Sequence, residues 1–130
     1  MTDAISKTIL VTVVDDDESV RDALKGFLQS AGFAAEIFSS AADLLDSNVL
    51  DKTSCLIVDV HMPVMTGLEL QCRLGNSRYR IPVIFITGRE DPMARAQAVK
   101  AGAIDFLQKP FACDTLLGAI QAALHTRGDI

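Results

Sequence analysis

"SCLIVDVHMPVMTG", residues 54–67, decides how the rest of the chain is read. Cys55, Leu56, Ile57 and Val58 follow one another with no polar alternation. A strand with one wetted face alternates, whereas one covered by helices on both sides stays apolar throughout. The run therefore predicts an interior strand over 54–59, closed by Asp59. Met62-Pro63 and Thr66-Gly67 turn the chain sharply over the strand end, and "TGLELQCRLGN" (66–76) has the pattern of a helix.

The same unit recurs in both directions. "PVIFIT" (82–87) is a second strand of this kind, and Asp91-Pro92 opens a helix, "MARAQAVKAG", with a capping acid before a proline at its first position. "AIDFL" (103–107) predicts the last strand and "CDTLLGAIQAALH" (113–125) the last helix. Upstream, "TILVTVV" (8–14) reads as a strand and "ESVRDALKGFLQSAG" (18–32) as a helix with Val20, Leu24, Phe27, Leu28 and Ala31 on one face and Gly32 at its end. "AAEIF" (34–38) is a strand, and Ser40 and Asp43 have capping-box spacing for the short helix "AADLLDSNV". Strict strand–helix alternation predicts an α/β fold: a doubly wound five-stranded parallel sheet with five helices.

Composition agrees with one globular domain. The chain has 130 residues, 49% hydrophobic and 22% charged, and a formal net charge of −5. That balance argues against direct nucleic-acid binding, which leans on basic phosphate contacts. The short basic stretch "RYR" (78–80) is too small to serve as one. Cys55, Cys72 and Cys113 are odd in number and widely spaced, which disfavours a disulfide framework or a zinc site. No apolar stretch is long enough to span a membrane and Met1–Lys7 lacks a signal-peptide core, so a soluble cytoplasmic protein is expected. "RGD" (127–129) is then a chance tripeptide.

In a doubly wound sheet the working site lies beyond the carboxyl ends of the strands. Those ends carry Asp15 and Asp16, Asp59, Thr87 and, just past the last strand, Lys109. Three carboxylates in one crevice repel one another unless a cation relieves them. Oxygen-only ligands suit a hard ion such as Mg²⁺, which takes one or two carboxylates and completes its shell with water and a substrate phosphate. A carboxylate can attack phosphorus to give an aspartyl phosphate; Lys109 and Thr87 are placed to hold the phosphoryl oxygens. Asp17 and Glu18 fit a helix start instead, favoured by the helix dipole.

"VVDDDE", "LIVDVHMPVMTG", "FITG" and "AGAIDFLQKPF" together resemble, in order and spacing, the receiver domain of two-component response regulators, a flavodoxin-like fold; the resemblance covers essentially the whole chain, residues 1–130. "MPVMTG" and "ITG" look most like the FixJ-type subgroup, whose members usually carry a C-terminal DNA-binding output domain, here outside this chain. The resemblance implies that Asp59 accepts a phosphoryl group from a sensor histidine kinase, with Mg²⁺ held by Asp15, Asp16, Asp59 and the backbone carbonyl of His61. It also implies a cis Lys109–Pro110 bond, a switch through Thr87 and Phe106, and control of an output, transcription, through homodimerisation on the face of the fourth helix, fifth strand and fifth helix. Such a domain promotes only its own phosphotransfer and dephosphorylation and is otherwise no enzyme. Phe106 stands where many members have Tyr, which removes a hydroxyl-mediated version of the switch; it could also be plain core. His61 and Arg89 occupy positions that tune phosphate lifetime in the family, although the His61 side chain reads more readily as an exposed loop residue than as a ligand.

Two rival readings remain at this level. Asp15-x-Asp17-x-Ser19 resembles the nucleophile motif of haloacid-dehalogenase-like phosphatases, with Asp15 phosphorylated, but that leaves Asp59 unexplained. A pseudo-receiver, an interaction module indifferent to phosphate, is disfavoured by the intact set of acids, Thr87 and Lys109. P-loop chemistry is excluded because no glycine-rich loop follows any strand.

Overall fold

Five strands and five α-helices alternate in the computed structural model, which describes residues 9–127. The strands are β1 (Leu10–Val14), β2 (Ala34–Phe38), β3 (Thr53–Asp59), β4 (Val83–Thr87) and β5 (Asp105–Gln108). The helices are α1 (Glu18–Ser30), α2 (Ala41–Asp46), α3 (Gly67–Gly75), α4 (Pro92–Lys100) and α5 (Cys113–Arg127). Thr8, Met1–Lys7 and the Gly128-Asp129 part of the "RGD" tripeptide lie outside the described residues.

The sheet order is β2-β1-β3-β4-β5 and every pairing is parallel. The winding reverses between β1 and β3, which opens the crevice at their carboxyl ends. Period-two alternation sorts the strand residues between two cores. Leu56, Val58 and Phe85 face α2, α3 and α4, packing with Leu44, Leu70, Leu74, Ala94 and Ala98. Cys55, Ile57, Ile84 and Ile86 face α1 and α5, packing with Leu24, Leu28, Leu116, Ile120 and Leu124. That is why β3 and β4 read as unbroken apolar runs: both faces are dry.

Most element ends fall within two residues of the sequence expectation, and two of the differences have a plain local cause. The second helix stops at Asp46, because the Ser47 hydroxyl bonds the Leu44 carbonyl at 2.6 Å and competes with continuation. A 3-10 turn, Leu50–Lys52, then delivers the chain to β3. The last strand starts at Asp105, since Ala103 N–H still serves the end of α4 by donating to the Ala98 carbonyl at 2.9 Å. Gly32, expected at the end of α1, has φ +94°, the left-handed conformation that closes a helix and that residues with a Cβ rarely adopt.

Candidate functional site

Asp15 follows β1 directly, and its side chain has no exposed surface. One carboxylate oxygen accepts the Asp17 N–H at 2.9 Å; the other lies 3.2 Å from Lys109 Nζ. The Arg21 guanidinium donates to the Asp15 carbonyl at 2.8 Å, fixing the strand end from the first turn of α1. Asp17 caps that helix, accepting from the Ser19 hydroxyl at 2.7 Å and the Ser19 N–H at 2.9 Å. Those bonds, the hydroxyl's above all, hold the Asp17 carboxyl below its ordinary range. Asp17 therefore belongs to the helix start, and Asp16, exposed beside it, turns to the crevice: ligand oxygens of Asp15, Asp16 and Asp59 all lie within 4.8 Å of one another.

Asp59 ends β3 and is 5% exposed. Burial pushes its carboxyl up to about 7, and the neighbouring Asp15 charge adds to the shift. Lys109 Nζ, 4.0 Å away, and the His61 N–H, 3.2 Å from Oδ1, pull the other way without cancelling it. A carboxylate held this way is short of positive charge. The donor set fits a small hard cation: three carboxylates, one of them solvent-facing, in a crevice with a single lysine at its edge.

The turn after Asp59 depends on Gly67. A Cβ there would stand 2.5 Å from the Asp59 carbonyl oxygen, 3.0 Å from Val58 and 3.1 Å from Phe85. Only glycine lets α3 start this close to the strand end, and Thr66 and Glu69 close a reciprocal capping box around that start.

Lys109 follows β5, precedes a cis bond to Pro110, and donates its backbone N–H to the Thr87 carbonyl at 2.7 Å. Thr87 is buried, and its hydroxyl donates to the Arg89 carbonyl at 2.9 Å while accepting the Arg89 N–H at 3.3 Å. Phe85 pairs with Phe106 and Thr87 lies two residues beyond Phe85, so Thr87 and Phe106 share the α4 face of the sheet. The Phe106 ring is already inward, 5% exposed, 6.2 Å from the Phe85 ring. Arg95 covers it, its guanidinium carbon 5.8 Å from the ring centre. A cavity of about 190 Å³ lies among Thr87, Asp91, Arg95 and Phe106.

The structure thus gathers Asp15, Asp16, Asp59 and Lys109 at one point and sets Thr87 and Phe106 on the adjoining face. Sequence reasoning missed Arg21, Arg95 and Asp91 as parts of this neighbourhood. Helical spacing carries no sign of where a long arginine will reach, and Asp91 was visible only as a cap. His61 stands between two of these loops, its ring within 3.2 Å of both Arg89 and Asp91.

The sequence model of the response regulator receiver domain matches residues 11–121. The response regulator protein TodT of Pseudomonas putida is 44% identical over 115 residues, covering 88% of this chain and 51% of the relative. The transcriptional regulatory protein FixJ of Bradyrhizobium diazoefficiens is 38% identical, again over 88% of this chain and 56% of the relative. Among solved structures, the response regulator StyR superposes with a TM-score of 0.87 at 42% identity, over 95% of this chain and 62% of that one. The FixJ N-terminal fragment gives 0.82 at 37% identity, over 92% and 95%. The chain spans about half the length of the curated relatives it matches.

Proposed function

The chain belongs to the response regulator receiver domain family, and from that premise we propose that Asp59 takes a phosphoryl group from the phosphohistidine of a sensor kinase. One observation carries the assignment: Asp59 closes β3 buried at the centre of the crevice, one oxygen accepting only the His61 N–H and the other 4.0 Å from a lysine ammonium that lies nearer to Asp15. In the transfer, an Asp59 oxygen forms a bond to phosphorus as the P–N bond breaks, and the leaving imidazole takes up a proton. Lys109, now closest to Asp15, is within a short side-chain movement of the arriving phosphoryl oxygens and neutralises them. Asp15, Asp16, Asp59 and the His61 carbonyl would hold Mg²⁺, which offsets the charge on the transferring oxygens. Asp15 as nucleophile, the phosphatase reading, fares worse: one oxygen accepts the Asp17 N–H at 2.9 Å and the other faces Lys109 at 3.2 Å, so neither can attack phosphorus until the lysine moves away, whereupon the freed oxygen serves the metal.

The kinase has a place to dock. An apolar cleft of about 450 Å³ between α1 and α5 is lined by Val20, Leu24, Phe27, Phe111 and Leu116, and Lys109 belongs to both cleft and site. No described helix is long and apolar enough to cross a membrane, and we place the chain in the cytoplasm, where such a kinase would phosphorylate it. Apart from its own phosphotransfer and dephosphorylation it turns nothing over. The companion output would be a C-terminal DNA-binding domain governing transcription, since the match takes up only 50% and 56% of the relatives named as transcriptional regulators.

Incubation with acetyl phosphate and Mg²⁺, followed by reductive trapping and peptide mapping, tests the assignment. The label is expected on Asp59 alone and absent from Asp59→Asn. A label on Asp15 or Asp17, or turnover of a phosphate ester, would replace the receiver with the phosphatase.

A further inference from the structure

The side chains of His61, Arg89 and Asp91 come from two different loops and take no part in the phosphoryl chemistry above. The His61 ring stands between the other two: Nδ1 is 3.2 Å from an Arg89 guanidinium nitrogen, and Nε2 is 3.2 Å from Asp91 Oδ2. A guanidinium only donates, so Nδ1 accepts and the proton of a neutral ring sits on Nε2. That N–H is shut off from solvent and makes no aligned hydrogen bond; the Asp91 oxygen is close to it but out of line. Asp91 has a second task. Its Oδ1 accepts the Ala94 N–H at 3.0 Å and caps α4. The two oxygens of one carboxylate therefore face two elements, the helix α4 and the loop that follows Asp59, where the His61 backbone N–H donates to Asp59 itself.

We propose that His61 and Asp91 are positioning residues that form a latch, incomplete in the arrangement seen here and completed when the first turn of α4 shifts on phosphorylation. The latch rests on the receiver reading above. A buried N–H without a partner is unfavourable, so an arrangement that aligns it is favoured. The movable side is Asp91, because the loop before it is tied down by the two bonds between Thr87 and Arg89, of 2.9 and 3.3 Å. Turning the Thr87 hydroxyl to a phosphoryl oxygen breaks both and frees residues 88–91. The Asp91 carboxylate then swings into line with Nε2 while still capping α4. Reciprocity follows: what the latch adds to the shifted state also tightens the grip on the phosphoryl group.

Beryllofluoride affinity and hydrogen exchange of the first-turn amides of α4 test it, on wild type, Asp91→Asn, His61→Ala and the double variant. Asparagine keeps one oxygen to cap α4 but offers an NH₂ where Nε2 needs an acceptor. His61→Ala leaves the cap untouched and keeps the backbone groups at Asp59. Each variant is expected to melt cooperatively and to bind beryllofluoride roughly threefold to tenfold more weakly, the effect of about one hydrogen bond. The α4 amides should respond less, and the double variant should be no weaker than the worse single one, which independent structural defects would not produce. Wild-type affinity and α4 response in both single variants would overturn the latch alone. Failure of the wild type to bind beryllofluoride at Asp59 would remove the receiver reading and the latch with it.

Discussion

The Asp59 carboxyl sits at about 7 against an ordinary 3.8, first through burial and then through Asp15. Between those values the folded protein holds a proton that the unfolded chain has released, so ionisation of Asp59 destabilises the fold as pH rises from about 4 to 7 and costs no more above that. Asp59→Asn fixes the neutral state. In metal-free buffer its melting temperature should match wild type near pH 4, exceed it increasingly up to about pH 7 and keep a constant margin above that; parallel curves at all pH values would refute the shift. Asp16→Ala should likewise stabilise the metal-free protein by relieving repulsion, yet abolish the gain that wild type shows with Mg²⁺. A ligand that binds only the folded state at a hundred times its Kd adds about 2.7 kcal/mol, so millimolar Mg²⁺ that leaves the wild-type melt unmoved would count against the site. All of these residues were legible in the sequence because each occupies a strand end, where chain position alone specifies location. The pairing of Lys109 with Asp15, in preference to Asp59, was not legible: it depends on ångström differences among side chains that converge from three strands.

Among the elements, α3 shows most directly how the chain places its chemistry. Thr66 and Gly67 are adjacent but do unlike work, and substitutions separate them. Thr66→Ala removes one half of a capping box and should cost about 1 kcal/mol, with little effect on Asp59. Gly67→Ala drives a methyl group into the Asp59 carbonyl, Val58 and Phe85, and should cost about 1–3 kcal/mol while also displacing Asp59. Chemical denaturation measures both costs, and the phosphorylation rate should fall clearly only in Gly67→Ala; equal rates in the two variants would deny the steric argument. The sequence announced α3 through its turn residues and helical pattern, and announced β3 and β4 through runs with no polar break; the capping box of Thr66 and Glu69 emerged only from the structure. It overextended α2 because Ser47 is neutral to helix formation until its hydroxyl finds the Leu44 carbonyl. It also began β5 early, because Ala103 and Ile104 are as apolar as the strand they lead into.

For the molecule as a whole, α4 is the part whose outer side lacks an explanation within the monomer. Ala94 and Ala98 pack inward, while Met93 and Val99 are 75% and 58% exposed on the other side. A surface helix normally keeps its outer face polar. This one lies beside β5 and shares the Phe106 wall, through Arg95, with the strand that adjoins Thr87. The Phe106 ring is already inward here, so phosphorylation has little left to do to it; what it can still change is the loop 88–91 and the start of α4. Going from 1:99 to 99:1 would require about 5.5 kcal/mol of differential interaction. Two charge-assisted hydrogen bonds, from Lys109 and Thr87, supply about 3–6 kcal/mol at best, and an inward ring lowers what remains to be shifted. The expectation is therefore a weak self-association of the unmodified protein, strengthened by beryllofluoride, through the face of α4, β5 and α5. Val99→Asp places a charge in that face at a site too exposed to disturb the fold, within about 0.5 kcal/mol. Light scattering should show the beryllofluoride-dependent dimer in wild type and its loss in Val99→Asp, with the melts superposed. A dimer undiminished by Val99→Asp would move the interface to another face, and one that forms equally in Asp59→Asn would sever association from the switch.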